Sequence, residues 1–394
     1  MANDIALKAP ARTLREVPHT VSPGLWALAW KRLKSDNVGM VSLAIVIVFI
    51  LMMIASGTGL IARDWSKEVG INYAPPSFIG ADIEAGAPSS PAAPPAPAVP
   101  PAEYKSDVVD PLADVLAELK GEKKPAAAEP PAAGVGEKSV DPLADVMADI
   151  RKEEKKAEVA EARLPTLPLG GDKWGRDVLK KTIKGSETSI FVGLAAAAVA
   201  TFLGTLFGAT AGYYGKWVDD AFNWFYSVFN SIPYLLLILA VAAVLQQKGT
   251  LTIILILGLT GWTGTFRLIR GEYLKHKARE YVQAADAIGA SNARRMFVHI
   301  FPNVSHVVLV QLSIYTVGFI KAEVILSFLG FGVPVDVVSW GSMLNEAQNE
   351  LILGKWWQLA AAGTAMAILV TAFSLFTDAL RDALDPKLKG LAGA

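Results

Sequence analysis

Apolar residues along this chain gather into long windows, and charged residues stand almost wholly between them. The first window, VSLAIVIVFILMMIASGTGLIA from Val41 to Ala62, carries no charge. A second, from about Ser189 to Tyr214, is rich in Ala and Gly, small residues that let helices approach closely in lipid. The third, near Phe222 to Leu245, contains Pro233, tolerable in a membrane helix where neighbouring helices satisfy the freed carbonyl. A fourth, Leu251 to Phe266, is short; a fifth runs from about Val304 to Val333 and a sixth from about Trp356 to Leu380. A bilayer core is crossed by about 20 apolar residues of helix. The pattern therefore predicts an all-α, polytopic membrane protein with about six transmembrane helices. Soluble helix packing explains one such run but not six.

Lys and Arg in the short loops set the orientation. The fourth-to-fifth connection holds Arg267, Arg270, Lys275, Lys277, Arg279, Arg294 and Arg295, whereas the fifth-to-sixth holds only Lys355. Lys31, Arg32 and Lys34 precede the first span, and Arg381, Lys387 and Lys389 follow the sixth. Both termini are thus expected in the cytoplasm. Lys180, Lys181 and Lys184 dissent, but they belong to a long loop, and long loops largely escape the rule. The polar leader is far longer than a signal-peptide n-region, so the first span reads as a retained anchor. Within the leader, SPGLWALAWKRL from Ser22 places Trp26, Trp30 and Leu33 at helical spacing beside Lys31, Arg32 and Lys34. That pattern fits an interfacial helix on the inner leaflet, or a cytosolic helix packed on another subunit.

Between the first two spans the composition changes. GAPSSPAAPPAPAVPPAE favours extended, solvated chain with no core. VDPLADVLAEL from Val109 and VDPLADVMADI from Val140 are two copies of one short amphipathic motif, too few for a solenoid. The segment reads as a tolerated low-complexity extracytoplasmic insertion; its alternative is a pair of helices that dock an outer partner. The expected division is a cytoplasmic region 1–40, a first transmembrane helix 41–62, the insertion 63–165, a five-helix core 166–381 and a tail 382–394.

Composition closes off several chemistries. The formal net charge of zero argues against nucleic acid as a partner, and with no cysteine there is no thiolate site. GYYGKW at Gly212 has neither the spacing nor the hydroxyl of a nucleotide-binding loop. The four histidines, His19, His276, His299 and His306, lack metal-ligand spacing. No catalytic residue, metal site or cofactor is expected in this chain, and ATP could be hydrolysed only by a partner.

One polar stretch interrupts the apolar windows: EYVQAADAIGASNARRMFVHIFPN, Glu280 to Asn303. Glu280 to Ile288 is a good helix former, and Gly289 suits a C′ stop. Ser291 or Asn292 can cap a second helix to about Ile300, and Pro302 is expected to break it before the next span. Two short helices joined at a glycine predict a slim, rigid knob on the cytoplasmic face, with Arg294 and Arg295 offering positive charge.

This stretch resembles the coupling loop of binding-protein-dependent ABC importer permeases, E-A-A, three residues, G, nine residues, I-x-L-P. Here Gln283, Ala284 and Ala285 are followed by Gly289 and by His299, Ile300, Phe301 and Pro302; Gln replaces Glu, and HIFP stands for I-x-L-P. LPLGGDKWGRDVL from Leu167, AGYYGKWVDDAF from Ala211, SFLGFGVPVDVVSWGSML from Ser327 and the terminal RDALDPKLKG resemble further segments of peptide-importer permeases, closest to the C-type subunit. Only the 63–165 insertion is foreign to that pattern.

The resemblance implies a permease subunit for di- or oligopeptides in a bacterial inner membrane. It implies a related second permease, two cytoplasmic ATPase subunits that bind ATP and Mg, an extracytoplasmic binding protein and surrounding lipid. The coupling loop, 276–303, would meet the ATPases through Glu280, Gln283, Ala284, Ala285, Asp286, Gly289, Arg294 and Pro302. Permeases for nickel, opines, glutathione and other small solutes share the pattern. A gradient-driven secondary transporter would show ionisable residues at mid-membrane and an inverted repeat; most spans here are uncharged and no such repeat is evident. A scaffold without transport would not need the coupling pattern. Inside the fifth span stand Lys321 and Glu323, two apart and so on different faces. Lys321 can snorkel to the interface, while Glu323 is expected at an outer gate or at the partner permease.

Overall fold

The computed structural model describes residues 25–80 and 163–385. Residues up to Phe78 and from Pro165 form one compact unit; Ile79–Leu164 forms another, of which only the ends are described. The Pro/Ala run, both repeats and Ser22 lie outside the described residues. Among the described residues the ordered structure is helical, with isolated β-bridges only.

Helix α1, Leu25–Ser35, is followed at once by α2, Asn37–Gly57. Asp36 starts α2 by accepting a hydrogen bond from the Val38 amide at 3.0 Å. This first span begins four residues before the window expected from Val41 and ends before Ala62, which lies in the following loop with φ of 53°. The polar Asn37 can enter because the cap supplies its start. Gly39 lets α2 lie against the last helix; a Cβ there would stand 2.7 Å from that of Ala379.

The central helix is α3, Val178–Tyr214, 37 residues and so about 55 Å long. It exceeds the expected Ser189 start because Asp177 caps it a full three turns earlier, accepting from the Leu179 amide at 2.8 Å. Gly204, Gly208 and Gly212, four apart, form a seam on which α7 lies. A Cβ on each would fall 2.6 to 2.7 Å from the carbonyls of Trp262, Phe266 and Arg270. The small residues at this seam thus permit backbone-to-backbone packing.

The third and fourth windows are not straight helices. Lys216–Asn230 (α4) and Tyr234–Leu245 (α5) meet at 84° around Pro233. Proline removes a donor and clashes with the preceding turn; the expected uninterrupted span is broken there. Thr250–Thr260 (α6) and Thr263–Lys277 (α7) bend by 41° at Gly261, where a Cβ would strike Phe319. Among the described residues, four helices are long and apolar enough to cross a membrane, or up to six if each bent pair is one span. The chain is a multi-pass membrane protein.

After α7 come α8, Glu280–Ala287, the single turn α9, Asn292–Arg294, and a π-helical segment, Arg295–Ile300. These lead without interruption into α10, Phe301–Phe328. Pro302 does not break the chain as expected: it stands where the π-helical turn passes into the first turn of α10. Helix α11, Trp340–Ile352, then packs across α10 before the last span α12, Trp357–Leu384. Its capping box joins Ser339 and Ser342.

The chain leaves for the 79–164 segment and returns at one place. Ser77 donates to the Leu167 carbonyl at 2.8 Å, and Leu167 to that of Pro75 at 3.2 Å. Residues 63–78, expected in the insertion, thus belong to the helical unit, because backbone pairing with 167–176 holds them.

Candidate functional site

The knob is built on α7 and α10. Val282 and Ala285 on α8 are buried, and Val282 packs with Tyr273, Met296, Ile300 and Val304. Helix α8 stops in a Schellman motif: the Ala290 amide donates to the Ala285 carbonyl at 3.0 Å and the Gly289 amide to Asp286 at 2.9 Å. Gly289 has φ of 82°, and the space around its absent Cβ is open. Its requirement is therefore backbone conformation, not room. Ser291 then caps α9, accepting from the Arg294 amide at 3.4 Å.

Side chains tie the knob to the bundle. Asp286 pairs with Arg295, whose guanidinium also lies over the Tyr213 ring. Tyr213 donates to Asn292 Oδ1 at 3.0 Å, Lys277 to the Tyr213 carbonyl at 2.6 Å, and Tyr273 to the Met296 carbonyl at 3.2 Å. The π-helical turn widens the backbone where the knob rejoins α10, a feature frequent at functional sites. The result is a short helix held rigidly at the end of two membrane helices.

The expected site residues divide by exposure. Glu280, Gln283, Ala284, Asp286, Gly289, Arg294 and Pro302 are exposed, whereas Ala285 is packing. Ile288, missed in the sequence reading, is 84% exposed at the tip beside Gly289. Helical spacing gave no signal for it: three residues after Ala285 it falls beside the buried stripe, and it is exposed at the cap position where α8 ends.

Glu323 and Lys321 part as their spacing requires. Lys321 is exposed; Glu323 is fully buried, accepting from Ser327 Oγ at 2.7 Å with the hydroxyls of Ser189 and Ser339 facing it. Glu323 is thus enclosed by hydroxyls from three segments of its own chain.

At the end opposite the knob, the LPLGGDKWGRDVL segment is a buckle. Asp172 Oδ1 accepts from the amides of Trp174 and Arg176 at 2.9 and 3.0 Å, and Oδ2 from Lys181 at 2.8 Å. Lys181, 1% exposed, also meets Glu346 on α11 and Gln358 on α12. Gly175, with φ of 79°, comes so close to Gly70 that a Cβ would lie 2.0 Å from its carbonyl oxygen. The three dissenting lysines are all paired: Lys180 with Asp64, Lys181 as above, Lys184 with Glu187. The Lys180 hydrogen bond holds the Asp64 carboxyl below its ordinary value.

Residues 204–390 match the family described as binding-protein-dependent transport system inner membrane component. Residues 24–76 match the N-terminal TM domain of oligopeptide transport permease C. The dipeptide transport system permease protein of Bacillus subtilis is 37% identical over 220 residues, 56% of this chain and 68% of that protein. The oligopeptide transport system permease protein of the same organism is 36% identical over 220 residues, covering 56% and 72%. That of Haemophilus influenzae is 34% identical over 218 residues, covering 55% and 70%.

Proposed function

The chain belongs to the family of binding-protein-dependent transport system inner membrane components, and we propose that it is the C-type permease subunit of an ATP-driven peptide importer. The substrate class rests on similarity to permeases named for dipeptides and oligopeptides. On this reading a related permease completes the translocation path. Two cytoplasmic ATPase subunits bind the knobs, and an extracytoplasmic binding protein delivers the peptide. Both termini and the knob lie in the cytoplasm of a bacterial inner membrane, following the arginine- and lysine-rich connection around Glu280–Asn303.

The observation that carries the mechanism is the knob's construction. A coupling element must move as a body, since a compliant one would dissipate the ATPase motion. Here α8 is fixed by a buried face, a Schellman stop, a capped turn and the Asp286–Arg295 pair. Its open side presents Gln283, Ala284 and Ile288 to a groove on the ATPase. Displacement of α8 passes directly to α7 and α10, whose backbones it joins.

Gly289→Val tests this. A left-handed φ costs an ordinary residue roughly 1–2 kcal/mol, more when β-branched. Peptide uptake should fall by about tenfold, the equivalent of ~1.4 kcal/mol, while the chain still inserts. Unchanged uptake and unchanged ATPase co-purification would refute the assignment. Copurification of an ATPase with the unaltered chain also separates this reading from a gradient-driven transporter, which requires none.

A further inference from the structure

One side of α10 stays open along most of its length. Gln311, Ile314, Gly318, Lys321 and Ile325 follow one another at steps of three and four and so form one stripe; each is exposed or half-buried. The opposite side, with Ser313, Ile320, Glu323 and Ser327, is buried against the rest of the chain. Hydrocarbon selects differently: the exposed side of α2 is Val41, Val48, Leu51 and Ile54. Gly318 lies in mid-helix, where glycine is unfavourable, yet a Cβ there would meet nothing within 4 Å. No other helix of the chain uses the space it leaves. Lys321, one turn further on, has among the described residues no ion pair and no hydrogen-bond partner for its ammonium. It stands about 30 Å along α10 from Phe301 and about 10 Å short of Phe328. On a helix the Cα–Cβ bonds lean toward the N-terminus, which for α10 is the knob end. Lys321 thus starts out into the span and away from the nearer surface, the reverse of what a snorkelling lysine needs. A charge so placed faces a bundle interior or a water-filled cavity. The stripe also leads to open space: Gln311 and Ile314 line a cavity of about 470 Å³ beneath the knob.

We propose that this stripe is the chain's wall of the translocation path, and that Lys321 binds the α-carboxylate of the peptide as it passes. Gly318 leaves room for the peptide backbone one turn deeper. That the cargo is a peptide rests on the function proposed above. Every peptide with a free C-terminus carries this carboxylate, whatever its side chains. One cation therefore recognises the class without reading the sequence. Lysine suits a transient hold, since its ammonium is a compact charge with rotatable donors and no fixed fork. Gln311, about 15 Å deeper, offers a neutral amide that can both donate to and accept from a peptide bond. The grip thus weakens from a charge to a neutral group along the direction of import.

The complex is reconstituted in proteoliposomes with its binding protein at saturation. Uptake of trialanine is compared with uptake of trialanine amide, which lacks only the carboxylate. Selection by the binding protein is common to all permease variants and cancels in the ratio of their rates. Lys321→Gln should lower trialanine uptake about tenfold, the loss of one charge-assisted hydrogen bond, and change that of the amide by less than about twofold. Lys321→Arg, which keeps the charge, should keep the preference for the free acid. Gly318→Leu, which fills the notch, should lower uptake of both peptides alike while complex yield holds. Three results in Lys321→Gln would each overturn the inference: equal loss for both peptides, unchanged uptake of both, or loss of the assembled complex. They would make Lys321 a general structural residue, a lysine in lipid or a contact of the second permease, in that order. Unchanged uptake in Gly318→Leu would take the stripe out of the path. Import of neither peptide by the unaltered complex would overturn the peptide reading itself, whereas import with a ratio that Lys321→Gln leaves unmoved overturns this inference alone.

Discussion

Glu350 is the least comfortable residue in the molecule: 1% exposed, with neither carboxylate oxygen hydrogen-bonded. Burial pushes its pKa up from 4.5 to about 7; nearby Lys181 opposes this, while Asp172 and Glu346 add to it. The Lys173 amide lies close without closing a bond of ordinary geometry. A carboxyl whose folded pKa is raised favours the folded state fully below its unfolded value, and that contribution fades as pH rises from about 4.5 through about 7. Glu350→Gln should therefore raise the melting temperature more at pH 8 than at pH 5, by about 2 °C or more. An identical shift at both pH values would show that Glu350 is not a buried, proton-sensitive group. No sequence pattern announces this residue. Its neighbours arrive from the 165–177 loop, α3 and α11, and only the fold brings Asp172, Lys181 and Glu346 together. Glu323 differs: one charge in an apolar window is visible at once, but the hydroxyls of Ser189 and Ser339 reach it only because α3 and the start of α11 pack against α10.

At the scale of elements, what is encoded within a few residues was legible. Gly289 as a helix stop and Ser291 as a cap follow from local backbone rules, and both occur. The long spans follow from hydropathy alone. Their breaks do not: Pro233 marks the corner but not its 84° angle, and at the bend beside Gly261 Trp262 packs on Phe225 and Phe229 of α4. Helix α11 escaped because 13 residues of mixed polarity, NEAQNE among them, read as loop between two spans. The π-helical turn escaped as well; the Tyr273 hydroxyl donates to the Met296 carbonyl within it, a contact that composition does not announce. The pairing of Ser77 with Leu167 makes a clear statement about the intervening segment: its ends are already side by side. Replacing residues 81–162 by a Gly/Ser linker of about six residues should leave complex yield and uptake within about twofold of the unaltered chain. A severe loss of uptake with intact assembly would instead make the two VDPLADV repeats a docking site for the binding protein. Deletion from Pro75, by contrast, should lower yield, because Pro75–Ser77 belong to the folded unit.

At the scale of the molecule, the helical unit is tied together at two ends. The buckle around Asp172 and Lys181 locks the loop, α3, α11 and α12 together at one end, while the glycine seam of α3 carries α7 toward the knob at the other. Broad apolar faces remain open, among them Trp217 and Trp224 on α4 and Leu236 and Val244 on α5. Such faces suit lipid and the second permease that the proposed assembly requires. The absence of cysteine makes the decisive measurement simple. Ile288→Cys, at the exposed tip of the knob, is coupled to a short photo-crosslinker in membranes that hold the whole transporter, with and without ATP. The account predicts a crosslink to an ATPase subunit whose yield changes on ATP binding. An Ile288→Cys probe that reaches no ATPase in either state, in a complex that still imports peptide, would contradict it.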